Sequence, residues 1–162
     1  MLASFYDALQ NATSSDVDLL NIIVCYYLSD VEREWYYNLI QNRQGYKKQV
    51  QLGIMYHKKQ CKISLTLARV QKKIKTILQE LRNNKSDLFY VLTFIKTHGS
   101  ARQQEVLLLR LWKRSYASMH VSLGISKDTC YSHYSQFVRK VTSRLPKSKT
   151  DLFFNKFYKF VN

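Results

Sequence analysis

Glycine and proline are scarce, with four Gly and one Pro in 162 residues. A strand-and-turn architecture needs such residues at its chain reversals, so their scarcity excludes it and favours long helices. Acids are few as well: 11 Asp and Glu stand against 26 Lys and Arg, for a formal net charge of +15. No apolar run approaches the roughly 20 residues that cross a bilayer, which argues against a membrane-spanning protein. The three cysteines, Cys25, Cys61 and Cys130, are odd in number and far apart. No basic, apolar leader precedes them. A disulfide framework is therefore not expected, and buried free thiols in a reducing, cytoplasmic setting are.

Chemistry-bearing clusters are missing too. There is no Gly-rich phosphate loop and no grouping of carboxylates for metal-dependent phosphodiester chemistry. Cys130 and His133 lie three apart and His57 and Cys61 four apart, but neither pair has the further ligands or placed base that a metal site or nucleophile needs. We therefore expect no catalytic residue, no metal and no cofactor. The expected class is a binding protein rather than an enzyme.

What remains is ample apolar content, 46% of residues, and a lopsided charge. Residues 1–45 carry two bases against six acids, a local charge of −4, whereas residues 46–162 carry 24 bases against five acids, or +19. A cationic body of this strength implies a polyanionic partner. With the break at Asn42-Arg43-Gln44-Gly45 and the closure at His98-Gly99-Ser100, the charge divides the chain into an acidic helical module 1–45, a basic helical region 46–100 and a C-terminal domain 101–162.

Helix signals run through the first two regions. Ser14, Ser15 and Asp16 cap a helix continuing through Tyr26, and Ser29 and Asp30 start another that uses Trp35, Leu39 and Ile40 for burial. Ile63, Leu67, Val70, Ile74, Ile77 and Leu81 step by alternating fours and threes, the spacing of a helix that buries one stripe. That stripe serves either the chain's own core or a seam between two copies, so a homodimer is one expectation. Ser86 can cap the helix that follows. The aromatics Tyr26, Tyr27, Trp35, Tyr36 and Tyr37 read as core of the acidic head.

Residues 101–145 are the most specific. A helix from Ala101 to Trp112 supports a core with Val106, Leu107, Leu109 and Leu111. Ser115 caps a short helix, Tyr116 to Ser122, that buries Met119 and also offers Ala117. Leu123-Gly124-Ile125 is the turn, with Gly124 supplying the left-handed conformation that ends a helix sharply. Ser126 caps a helix to about Arg144, with Cys130, Tyr134, Phe137, Val138 and Val141 on one face. This is the pattern of a wingless helix-turn-helix, which presents the leading half of its last helix to base edges in the major groove. The base-reading candidates are Lys127, Asp128, Thr129, Tyr131, Ser132 and Ser135, with Asp128 also placed to hold Lys127 or Arg114. The phosphate candidates are Arg114, Ser115, Arg139, Lys140 and Arg144. Double-stranded DNA is the expected partner. Neutralising about five phosphates implies a log–log salt slope of roughly −4 to −5.

The stretch from Gln104 to Val141 resembles region 4 of sigma factors. Glu105 to Arg110, Ser115-Tyr116 and Leu123 to Thr129 follow that family's pattern, while His120 and Cys130 depart from it. In size, and in a helical first half followed by such a module, the chain is similar to small phage-encoded regulators of the ArpU/RinA type; the resemblance in residues covers about the last third, and no sigma region 2 signature is present. The resemblance implies an all-α transcription activator that acts at a promoter with RNA polymerase. A diverged sigma factor or a non-DNA-binding adaptor is the alternative. The tail places Phe153, Phe154, Phe157 and Phe160 at helical spacing with Lys156 and Lys159 opposite, favouring packing on the protein's own core or a dimer partner over a membrane interface.

Overall fold

The computed structural model describes the backbone of residues 1–39 and 45–158, with side chains described except at 38–39, 45–49 and 155–158. Every regular element among them is helical, in the order α1 Leu2–Asn11, α2 Asp16–Ile22, α3 Asp30–Leu39, α4 Gly45–Met55, α5 Gln60–Asn83, α6 Lys85–His98, α7 Ala101–Leu111, α8 Tyr116–Leu123, α9 Lys127–Arg144 and α10 Lys147–Tyr158. None of these helices is long and apolar enough to cross a membrane. The expectation of an all-α protein is met.

The helices form two compact units, one of residues 13–83 and one of residues 1–12 with 84–162. This division follows contacts, and it differs from the one at 45 and 100 that charge and punctuation drew. Residues on both sides of position 45 share one unit, α6 falls with the C-terminal helices, and so does the first helix. There Phe5 meets Trp112 edge-on at 5.3 Å and Tyr6 meets Phe89 at 5.1 Å.

In the unit 13–83, α5 is the organising rod, packed by α2, α3 and α4. All six of its periodic apolar residues, Ile63 to Leu81, are buried. The stripe is thus used inside its own chain, which corrects the alternative of a seam between copies. Ser15 Oγ accepts from Asp18 N–H at the start of α2. Ser29 and Glu32 cap α3 reciprocally, each backbone N–H donating to the other's side-chain oxygen. The helix expected to run through Tyr26 changes pitch at Ile23, where a π-turn to Tyr27 is closed by Leu28 N–H donating to Ile23 O at 3.1 Å. Across this wider turn Ile23, Val24, Tyr27 and Leu28 are all buried. Tyr37 is exposed, contrary to a core role, while Tyr27 and Trp35 are buried. Leu39 keeps its place in α3, but its burial and that of Ile40, with the break at 42–44, lie outside the described residues.

In the other unit, α9 packs on α7, α8 and α10, and α1 and α10 both pack on α6 and α7. Its centre is aromatic: Phe94 meets Phe137 at 5.8 Å and Phe153 at 5.1 Å, all three buried. Phe153 therefore packs inward as the tail's spacing predicts, with Phe154 half-buried. Phe157, Phe160, Lys156 and Lys159 lie outside the described side chains. Asn84, not Ser86, is the N-cap of α6, without a side-chain hydrogen bond.

Candidate nucleic-acid interface

Each helix around the candidate surface is held at its ends. Ser100 and Gln103 form a reciprocal capping box at the start of α7. The far end of α7 closes on Lys113, at φ +64°, with Lys113 N–H donating to Arg110 O and Arg114 N–H to Leu109 O, both at 2.9 Å. That pair of bonds is a Schellman closure built on a residue other than glycine. Ser115 Oγ then accepts from Ser118 N–H to start α8.

The corner between α8 and α9 has two fasteners. Gly124 sits at φ +63°, ψ +29°, and its N–H donates to His120 O at 3.1 Å. A Cβ built there meets nothing within 4 Å, so glycine serves the backbone conformation rather than a close approach. His120 Nδ1 donates to Ile125 O at 2.6 Å, spanning the turn; a carbonyl can only accept, which fixes the proton on Nδ1. His120, one of the two departures from the sigma pattern, thus ties the corner. Ser126 Oγ accepts from Thr129 N–H and pairs with Thr129 Oγ1 at 2.8 Å to start α9.

Beyond this corner α9 is two-faced. Cys130, Tyr134, Phe137 and Val141 are buried and Val138 is half-buried, while Lys127, Asp128, Thr129, Tyr131 and Ser132 are exposed on the leading half. Burial pushes the Cys130 thiol above its usual value. Cys25 and Cys61 are exposed, which corrects the expectation of buried thiols throughout. Asp128 makes no ion pair among the described residues, with neither Lys127 nor Arg114. Its place in the first turn sets its charge against the positive end of the helix dipole. Ser135 is half-buried, less available than expected, and Ala117 is exposed rather than buried.

Among the phosphate candidates, Arg139 and Arg144 are exposed and Arg114 is half-buried. Ser115 is exposed but already serves as a cap. Lys140 is different. Its Nζ donates to His98 O at 3.1 Å and to Gln103 Oε1 at 2.9 Å, tying α9 to the end of α6 and the start of α7. We correct its role from phosphate contact to internal staple.

Two features escaped the sequence. Arg110 lies in the last turn of α7, with Nη1 donating to Arg114 O at 2.9 Å and its guanidinium 4.7 Å from the Tyr116 ring centre. Tyr116 meets Tyr131 edge-on at 5.9 Å. The three make a stack that steadies Tyr131, which is still 61% exposed. Pairs so far apart in sequence leave no periodic signal. The second is Lys147, an exposed cation at the start of α10 just past Arg144.

No group of three or more His, Cys, Asp or Glu lies together as a metal-binding set among the described residues. Comparison with family models, curated proteins and solved structures finds no match for this chain.

Proposed function

We propose that this chain is a sequence-specific duplex-DNA-binding transcription regulator, with α8, the Gly124 corner and α9 acting as a helix-turn-helix. One observation carries the reading. The leading half of α9 exposes Lys127, Asp128, Thr129, Tyr131 and Ser132, while its opposite face is locked into the core and its start is fixed by two capped ends. Such a rod enters a major groove without reorganising, and its exposed donors and acceptors suit base edges. Tyr131, steadied by Tyr116, suits a thymine methyl or a phosphate oxygen. Arg139 and Arg144, further along, hold the register through phosphates.

The resemblance to ArpU/RinA-type regulators supports a narrower form, an activator at a promoter that works with RNA polymerase. The chain binds DNA without catalysing a reaction on it in this reading. Selection from a random duplex pool tests it: a recurrent motif of several base pairs is expected to emerge and to be protected in a footprint. Adding holoenzyme should then raise transcription from a promoter carrying that motif. A pool that stays random after repeated rounds contradicts the proposal. Initiation with core polymerase alone would make the chain a sigma factor, and cleavage of duplex with Mg²⁺ would make it a nuclease.

A further inference from the structure

We infer that α5 carries a second nucleic-acid surface, a stripe of cations that holds duplex phosphates without regard to sequence. Lys62, Arg69, Lys72 and Lys75 are all exposed. At 100° per residue they occupy an arc of about 140° centred opposite the buried stripe of α5, and they extend over about 20 Å of helix axis. Lys59, at the entry to the helix, is exposed as well.

A solvated helical face ordinarily interleaves acids with its bases, because Glu–Lys pairs three or four apart stabilise the helix and like charges at that spacing weaken it by a few tenths of a kcal/mol. This stripe does the reverse. Arg69 and Lys72, then Lys72 and Lys75, are like charges three apart, and Glu80 is the one acid in α5. None of the four stripe cations has an ion-pair partner among the described residues. The unit's acids are engaged elsewhere: Asp16 with Arg82, Asp30 with Arg33 and Glu32 with Lys73. Asp18 is bound by Thr13 and Glu34 by the Tyr56 hydroxyl.

Uncompensated repulsion weakens the folded helix and is relieved by a polyanion. A duplex presents a phosphate every 3.4 Å of rise on each strand, so four cations over about 20 Å find partners without a fitted pocket. An anionic membrane fits less well. An interfacial helix must sink an apolar face into the lipid, whereas the apolar stripe of α5 is buried and Leu65, 60% exposed, is the one large apolar side chain that α5 leaves out. The inference takes duplex binding from the proposed function as its starting point.

The test is the salt dependence of duplex affinity in the full chain, measured on the selected motif and on a scrambled duplex. Replacing Lys62, Arg69, Lys72 and Lys75 together by Gln is expected to flatten the log–log slope by about 3–4 on both duplexes, at about 0.9 for each phosphate no longer neutralised. The ratio of affinities for the two duplexes should not change, and the matching set of Lys→Arg changes with Arg69 kept should preserve the slope. Circular dichroism checks the fold. Were the fourfold variant to unfold, each single Lys→Gln change should flatten the slope by about 0.9. An unchanged slope in the folded variants overturns the inference, as does a loss confined to anionic lipid vesicles. A wild-type chain that shows no motif but whose slope depends on the stripe would sink the helix-turn-helix reading and leave this one standing.

Discussion

At the scale of single residues, the corner between α8 and α9 depends on one backbone conformation and one imidazole. Gly124 is left-handed in open space, so a side chain there costs backbone energy and nothing in packing. Gly124→Ala is expected to lower stability by about 1 kcal/mol, and Gly124→Asn by less because Asn tolerates this region. Urea unfolding checks the order Gly, Asn, Ala. Equal losses for Asn and Ala would show that the conformation is not what glycine supplies. Sequence alone made this corner legible, since Gly124 and Ser126 carry local signals that need no partner. The left-handed Lys113 at the other corner carried none, because nothing in a lysine's chemistry announces that conformation.

At the scale of elements, periodicity and caps were legible and long-range bonds were not. All six apolar positions of α5 are buried, and Ser15, Ser29, Ser115 and Ser126 cap as read. Lys140 was misread because a lysine on a helix after an exposed arginine looks solvated, and its two acceptors lie 42 and 37 residues away. Lys140→Met should cost about 1–3 kcal/mol, since it leaves half-buried acceptors short of a donor. It should leave the salt slope of duplex binding unchanged. A slope flatter by about 0.9 would restore Lys140 as a phosphate contact.

The union of α3 and α5 has a similar polar tie, Lys73 Nζ to Glu32 Oε2 at 2.7 Å. Burial pushes the Glu32 carboxyl up, but the bonds from Lys73 and Ser29 outweigh it and hold the value below the ordinary one. A lowered value in the folded state stabilises above the ordinary carboxylate range, and the gain is lost as pH falls through the folded value. Glu32→Gln should therefore destabilise by about 1–2 kcal/mol at neutral pH, with the gap to wild type closing below about pH 4. A gap constant with pH would mean that packing, not charge, accounts for the loss.

At the scale of the molecule, charge and contact divide the chain differently. The net +15 is shared by both compact units, +9 on residues 1–12 with 84–162 and +6 on residues 13–83. The acidity of residues 1–45 therefore does not mark a separate body: α1 joins the C-terminal helices, and the acids from Asp16 to Glu34 serve largely as caps and ion-pair partners around α5. Charge patterning pointed to a class of partner and drew the architecture poorly, because capping and pairing depend on which helices meet.

The central claim is that the exposed leading half of α9 reads bases while the cations beyond it grip phosphates. Its most direct test measures the affinities of Lys127→Ala, Tyr131→Ala and Arg139→Ala proteins for a selected duplex and for its scrambled counterpart. The account predicts that the first two variants lose preference for the selected duplex, by about 1–3 kcal/mol for a good base contact, and that Arg139→Ala weakens both duplexes alike. Equal losses on the two duplexes from all three variants, with the folds intact, would contradict it.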